Sequence, residues 1–210
     1  MKRQSKGISM LTLVLGGAAS GKSEYAESLA AEVCSENADG RRIYLATMQH
    51  GPSAEARIRK HVTRRQGLGF ETIEDPLLDK GWQTEGLMQE RAAAILLEDI
   101  PNLLANRMFS QPLSIGSEAK EVFAGDGYFL AEGYSRDISG KLSDTVLQLM
   151  TWTRHLILVS GDIFRDGREY PEETEKYIYC LGELNRRLAE EADHVVEVVC
   201  GIPVDHKVHK

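Results

Sequence analysis

Short apolar runs rich in branched side chains alternate along this chain with longer stretches whose apolar residues recur every three or four positions. The runs are Met10–Leu15, Ile43–Ala46, Ala94–Leu97, Leu156–Ser160 and Val195–Cys200. Strands covered on both faces read this way, as near-continuous apolar segments. Between them the spacing predicts helices over Ser23–Cys34, Ala54–Arg65, Pro101–Phe109, Leu142–Thr153 and Glu172–Ala192. The last carries Tyr177, Leu181, Leu184 and Leu188 at intervals of three and four, so it should bury one face against a sheet. Strand and helix in alternation imply an α/β fold, a mostly parallel sheet with helices on both faces. Phe109–Ser139 breaks the pattern: its Gly, Ser and scattered aromatics show no clean period, and a loop or excursion from the domain is expected there.

The strand at Met10–Leu15 runs directly into Gly16-Gly17-Ala18-Ala19-Ser20-Gly21-Lys22-Ser23, which satisfies G-x-x-x-x-G-K-[ST]. Glycines let the backbone curl so that its N–H groups surround phosphate oxygens. The helix that follows points its positive end at the same place. Lys22 reaches the outer phosphates, and the Ser23 hydroxyl is the expected ligand for Mg²⁺. A strand before and a helix after are the context this motif requires, so a nucleoside triphosphate is expected here.

Such a loop works with a carboxylate at the end of a neighbouring strand. The run Ala94-Ile95-Leu96-Leu97 ends in Glu98-Asp99, on the edge of a parallel sheet where ligands collect. Glu98 is the expected metal or substrate carboxylate, and Asp99 the expected cap of the helix beginning at Pro101. In "SAEARIRKHVTRRQ", Arg57, His61 and Arg65 stand four apart and share a helical face, with Arg64 adjacent. The arginines suit a phosphate clamp. The same neighbouring positive charge disfavours imidazolium, which would leave His61 a neutral nucleophile for an α-phosphorus. The pattern alone leaves both uses open.

Composition narrows the partners. A net charge of −7 argues against nucleic acid, whose recognition rests on clustered Lys and Arg. No apolar stretch approaches the ~20 residues of a membrane span. The three cysteines, Cys34, Cys180 and Cys200, are sparse and never paired as C-x-x-C, and no cleavage site precedes the glycine loop, so a cytoplasmic setting is expected. No Pro/Gly/Ser-rich linker divides the 210 residues, which suggests a flexible tail over 1–9 and a single domain over 10–210.

Taken in order, the motifs resemble one family. They are "GGAASGKS", "IYLATMQ" (Ile43–Gln49), "ARIRKH" (Ala56–His61) followed by Arg65, and "ETIEDP" (Glu71–Pro76). Further on come "ILLEDIPNLLAN" (Ile95–Asn106), "LILVS" (Leu156–Ser160) and "GELNRRLAEEADHVVEVVCGIPV" (Gly182–Val204). This set is similar to the bifunctional adenosylcobinamide kinase/adenosylcobinamide-phosphate guanylyltransferases of cobalamin biosynthesis. The resemblance implies a single-domain, RecA-like P-loop NTPase fold and a homo-oligomer, commonly a trimer. It implies GTP and ATP as substrates with Mg²⁺, and a corrinoid as acceptor. It also implies a covalent guanylyl group on His61, four residues after Arg57 as in the family's R-I-x-x-H. By the same matching Ala46, Thr47 and Met48 line the nucleotide site, and Glu74 and Glu98 contact guanine nucleotide or metal. Lys22, His61 and Glu98 are then the catalytic set.

The chain departs from the family at Gly161-Asp162, where an Asn-Glu pair is usual, at Ile178-Tyr179, where Arg-Asp is usual, and at Phe70, where tryptophan is usual. The nucleotide half of the pattern is intact and the acceptor half is altered. The residues therefore leave two further readings open: a P-loop kinase or NTPase acting on another small substrate, and a GTP-binding regulatory protein without turnover.

Overall fold

A computed structural model of the chain describes residues 9–35, 40–49, 55–79, 91–109, 127–163 and 170–208. The strands are β1 (Met10–Leu15), β2 (Arg42–Ala46), β3 (Phe70–Glu74), β4 (Ala92–Glu98), β5 (Thr153–Val159), β6 (His194–Val199) and β7 (Ile202–Val208). They form one seven-stranded sheet in the order β3-β2-β4-β5-β1-β6-β7. All neighbours pair in parallel except β6 and β7. The helices are α1 (Lys22–Ser35), α2 (Glu55–Arg65), α3 (Ile100–Phe109), α4 (Gly127–Gln148) and α5 (Glu172–Glu191). The expected α/β fold is present, a mostly parallel sheet with the glycine loop after β1, and β5 separates the glycine-loop strand β1 from the acid-bearing strand β4.

Because successive side chains of a strand point to opposite faces, the sheet feeds two apolar layers. Leu11, Leu13, Ile43, Leu45, Leu97, Leu156 and Leu158 pack with Leu103 and Leu104 of α3, Leu142 and Val146 of α4, and Leu181, Leu184 and Leu188 of α5. On the other face Val14, Tyr44, Leu96, Ile157, Val159, Val196 and Val198 receive Ala26 and Ala30 of α1. Register aligns Ala46 with Glu98, and Glu98 with Val159, so the strand ends that carry chemistry share one edge.

Three elements differ from the pattern reading. Strand β3 was not expected, since only Ile73 in it is buried and an edge strand needs no apolar run. Strand β7 is exposed throughout and joins β6 through Cys200 and Gly201, both at positive φ (51° and 80°), the turn that matches strand twist in a two-residue hairpin. The excursion expected over Phe109–Ser139 is in part helix: α4 begins at Gly127 and is held on α5 by Ser139, whose hydroxyl donates to Cys180 O at 3.0 Å. Residues 110–126 lie outside the described residues. The helix expected to reach Thr153 stops at Gln148, because a single 3₁₀ turn over Leu149–Thr151 delivers Thr153 into β5. Of the expected N-terminal tail only Ser9 is described, and its hydroxyl donates to Met150 O at 2.9 Å.

One buried polar pair makes the sheet sensitive to acid. His155 of β5 is 5% exposed and lies 2.8 Å from Thr12 Oγ1 on β1. Burial lowers its pKa from 6.5 to about 4, with Asp193 opposing and His194 reinforcing the shift. The folded state therefore resists protonation that the unfolded chain accepts. His155 costs nothing above about pH 6.5, and stability falls as pH drops from there through about 4, by on the order of 3 kcal/mol in all. His155→Gln is expected to flatten the pH dependence of urea midpoints between pH 7 and 4. An unchanged slope would refute the assignment.

Candidate active site

The glycine loop is shaped by close backbone approach. A Cβ on Gly16 would lie 2.5 Å from Ser20 Oγ and 2.8 Å from Val198 O, so no side chain fits. Gly21 sits at φ +93°, and a Cβ there would meet Gly201 Cα at 3.2 Å. That contact gives the terminal "CGIP" a role, since the β6–β7 turn braces the loop and Gly201 donates its N–H to Ser20 O at 2.7 Å. From the other side Asp162 donates its N–H to Gly16 O at 3.2 Å. Gly17 and the exposed Ala18 and Ala19 form the rim, and the buried Ser20 hydroxyl has no hydrogen-bond partner among the described residues. Lys22 lies across its own loop, Nζ donating to Gly17 O at 3.0 Å.

One residue into α1, the Ser23 hydroxyl donates to Glu98 Oε1 at the end of β4. A serine hydroxyl and a carboxylate facing each other beside a helix N-terminus form an all-oxygen donor pair, which fits Mg²⁺. Asp99 takes the expected capping role, with Oδ1 accepting from Asn102 N–H at 2.8 Å. Thr47 is wholly buried and serves the same junction: its hydroxyl donates to Asp99 O (2.8 Å) and accepts from Asp99 N–H (2.7 Å). Thr47 thus positions the acid-bearing turn and does not line the cleft, whereas Ala46 and Met48 on either side do line it.

His61 comes from α2 and stands over this junction, Nδ1 3.8 Å from Glu98 Oε1. The second acid at His61 is Glu27 of α1, 2% exposed, and one ligand atom from each of Glu27, His61 and Glu98 lies within 4.8 Å of the others. Other elements thus bring two carboxylates to His61, which the pattern of its own helix did not suggest. Periodicity reports neighbours along one helix and is silent about what the next element brings. Glu27 was missed for the same reason, though a signal existed: it stands one turn after Ser23, beside Ala26 on the buried face of α1.

A cleft leads away from His61 along α2 and the edge of the sheet, lined by Tyr44, Ala46, Met48, Arg65, Thr72, Glu74 and Glu98. Arg65 is buried, its guanidinium carbon 3.3 Å from the centroid of the Tyr44 ring. Its Nη1 is buried with no hydrogen-bond partner among the described residues. Glu74 is an exposed acid at the mouth. The side chains of Arg57 and Arg64 lie outside the described residues. The structure thus brings together the glycine loop, Lys22, Ser23, Glu98 and His61, with Arg65, Glu74, Ala46 and Met48 extending from them.

The altered segment after β5 also reaches this edge. Asn185 of α5 accepts from the Ser160 hydroxyl (2.6 Å) and donates to Gly161 O (3.2 Å), which fixes the turn that leads to Asp162. Tyr177 donates to Pro101 O at 3.1 Å, and burial, helped by Asp99, pushes its phenol up to about 12.

Comparison with known proteins follows the geometry. A family model described as cobinamide kinase / cobinamide phosphate guanyltransferase matches residues 12–206. No curated protein matches the chain. Among solved structures the flagellar accessory protein FlaH from Methanocaldococcus jannaschii is similar at 13% identity and TM-score 0.49, covering 97% of this chain and 81% of that one. A KaiC-like protein from Pyrococcus horikoshii OT3 is similar at 14% identity and TM-score 0.43, covering 93% and 80% respectively.

Proposed function

Because the chain belongs to the cobinamide kinase / cobinamide phosphate guanyltransferase family, and is thus a transferase of cobalamin biosynthesis, we propose that one glycine-loop site serves both of its reactions and that His61 carries the guanylyl group between them. The observation that carries the proposal is the position of His61: an imidazole from α2 beside the Ser23–Glu98 pair at the mouth of the loop. In the kinase step Lys22 and the loop amides hold the triphosphate of ATP or GTP while its γ-phosphoryl passes to the acceptor hydroxyl. Bound through Ser23 and Glu98, Mg²⁺ would supply charge neutralisation on the phosphates. In the guanylyl step the His61 lone pair attacks the α-phosphorus of GTP, and pyrophosphate leaves with the bonding electrons. The phosphate oxygen of the phosphorylated corrinoid then displaces His61 and restores the free imidazole.

The cleft suits the base of GTP. The guanine edge offers two donors and a carbonyl, and Glu74 supplies acceptors while the buried Arg65 Nη1 supplies a donor. Arg57, in the family's R-I-x-x-H, belongs to the phosphate grip in the same reading, and the acceptor is an adenosylated corrinoid. A cytoplasmic homo-oligomer, commonly a trimer in this family, completes it. Neither Cys180 nor Cys200 is in a disulfide, which accords with a reducing compartment, and the exposed Val199, Ile202, Val204 and Val208 of the β6–β7 hairpin accord with a covered face. No described helix is long and apolar enough to cross a membrane.

The test is covalent capture. Incubation with GTP labelled at the α-phosphorus, with Mg²⁺, is expected to yield acid-labile, base-stable protein label in the peptide that contains His61. Label confined to any other peptide, or none at all, would sink the nucleophile assignment.

A further inference from the structure

Glu27 is a buried acid beside His61 that neither step uses. It sits at 2% exposure and Glu98 at 8%, and a cation between two carboxylates withdrawn from water offsets the cost of burying them. His61 closes the third side, Nδ1 3.8 Å from Glu98 Oε1, and one ligand atom from each residue lies within 4.8 Å of the other two. The three come from α1, α2 and β4, so helices and strand position the donors and no loop is needed. The Ser23 hydroxyl donates to Glu98 Oε1 and so orients that carboxylate, as hydrogen-bond partners of ligands do around bound ions.

We propose that Glu27, His61 and Glu98 form a binding site for a divalent transition ion such as Co²⁺ or Zn²⁺, and that occupying it locks His61. The donor set decides the ion class. Mg²⁺ takes oxygen ligands, whereas an imidazole nitrogen beside two carboxylates favours Co²⁺ and Zn²⁺. Ligand atoms around a tetrahedral ion with bonds of about 2.0–2.1 Å lie about 3.4 Å apart. The trio, with separations within 4.8 Å, therefore reaches binding geometry by drawing in by at most about 1.4 Å, within the range of side-chain adjustment. An ion held there shares Glu98 with the Mg²⁺ pair and takes up an imidazole lone pair in a metal bond. Transition-ion binding and self-guanylylation then exclude each other. The binding site stands on its own geometry, and only its effect on labelling rests on the guanylyl-histidine reading.

The experiment uses the metal-free full-length protein. Titration with Co²⁺, followed by visible absorption and calorimetry, is expected to show one site whose affinity falls tenfold or more in Glu27→Gln and in His61→Ala. Should one variant fail to fold by circular dichroism, the other decides. Ions taken up by the His194–Asp205 and His206–Glu197 pairs of the β6–β7 hairpin are indifferent to Glu27. Uptake unchanged in both variants would thus overturn the site. In the wild type, Co²⁺ is expected to slow covalent labelling by Mg²⁺·GTP, and Glu27→Gln to need at least tenfold more ion for the same slowing. Equal sensitivity to Co²⁺ in both proteins would overturn the lock. Failure of the wild type to label with Mg²⁺·GTP when no Co²⁺ is added would instead refute the guanylyl-histidine reading and leave the ion site standing.

Discussion

His61→Ala is expected to lower guanylyl transfer by at least roughly 10³-fold, the scale on which loss of a covalent nucleophile acts, and to remove the protein label completely. Phosphoryl transfer from ATP should stay within about tenfold of wild type, because in the proposed kinase step the glycine loop and Lys22 hold the triphosphate and the His61 imidazole takes no part. The separation follows from how the site is assembled. Lys22 and Ser23 begin α1, Glu98 ends β4, and Thr47 pins the turn beyond Glu98 through two hydrogen bonds to Asp99. His61 adds to this frame from outside, its side chain 18% exposed, so its removal leaves the frame in place. Assays of pyrophosphate release and of phosphorylated acceptor on one preparation make the check. Parallel loss of both activities would mean that His61 serves the shared site as a whole, and the division of labour proposed above would fall.

Lys22→Ala is expected to abolish that division from the other side. Its ammonium lies across the loop against Gly17 O, held where the outer phosphates of a bound triphosphate draw it away. Removing a preorganised donor from developing phosphate charge costs on the order of 10²–10³-fold in rate, and here both transfers should suffer. The empty loop should keep its shape, because Gly201 N–H on Ser20 O and Asp162 N–H on Gly16 O brace it through backbone alone. Thermal unfolding without nucleotide should therefore match wild type, while the stabilisation that GTP gives the wild type should vanish. A Lys22→Ala protein that still unfolds at a higher temperature with GTP, and still turns over, would show that this loop does not bind the triphosphate.

These two substitutions separate what the chain announces from what it conceals. Glycine loop, following helix and acid-ended strand are local facts: a backbone that must curl needs Gly16 and Gly21, and a buried strand needs an unbroken apolar run. Such features are written in consecutive residues, so the α/β class, the five interior strands and the places of Lys22, Ser23 and Glu98 were legible. The two edge strands were not. β3 buries Ile73 alone and β7 buries nothing, so neither leaves an apolar signature, yet the hairpin that β7 completes carries the brace for the loop. The company His61 keeps was equally hidden. Its own helix suggested arginines around it, whereas α1 and β4 bring Glu27 and Glu98 from far along the chain. Local chemistry determined the glycine loop and the lysine and serine that follow it. Only the packing of one element on another decided which charges face the His61 imidazole, because that depends on contacts between segments that no period along the chain records.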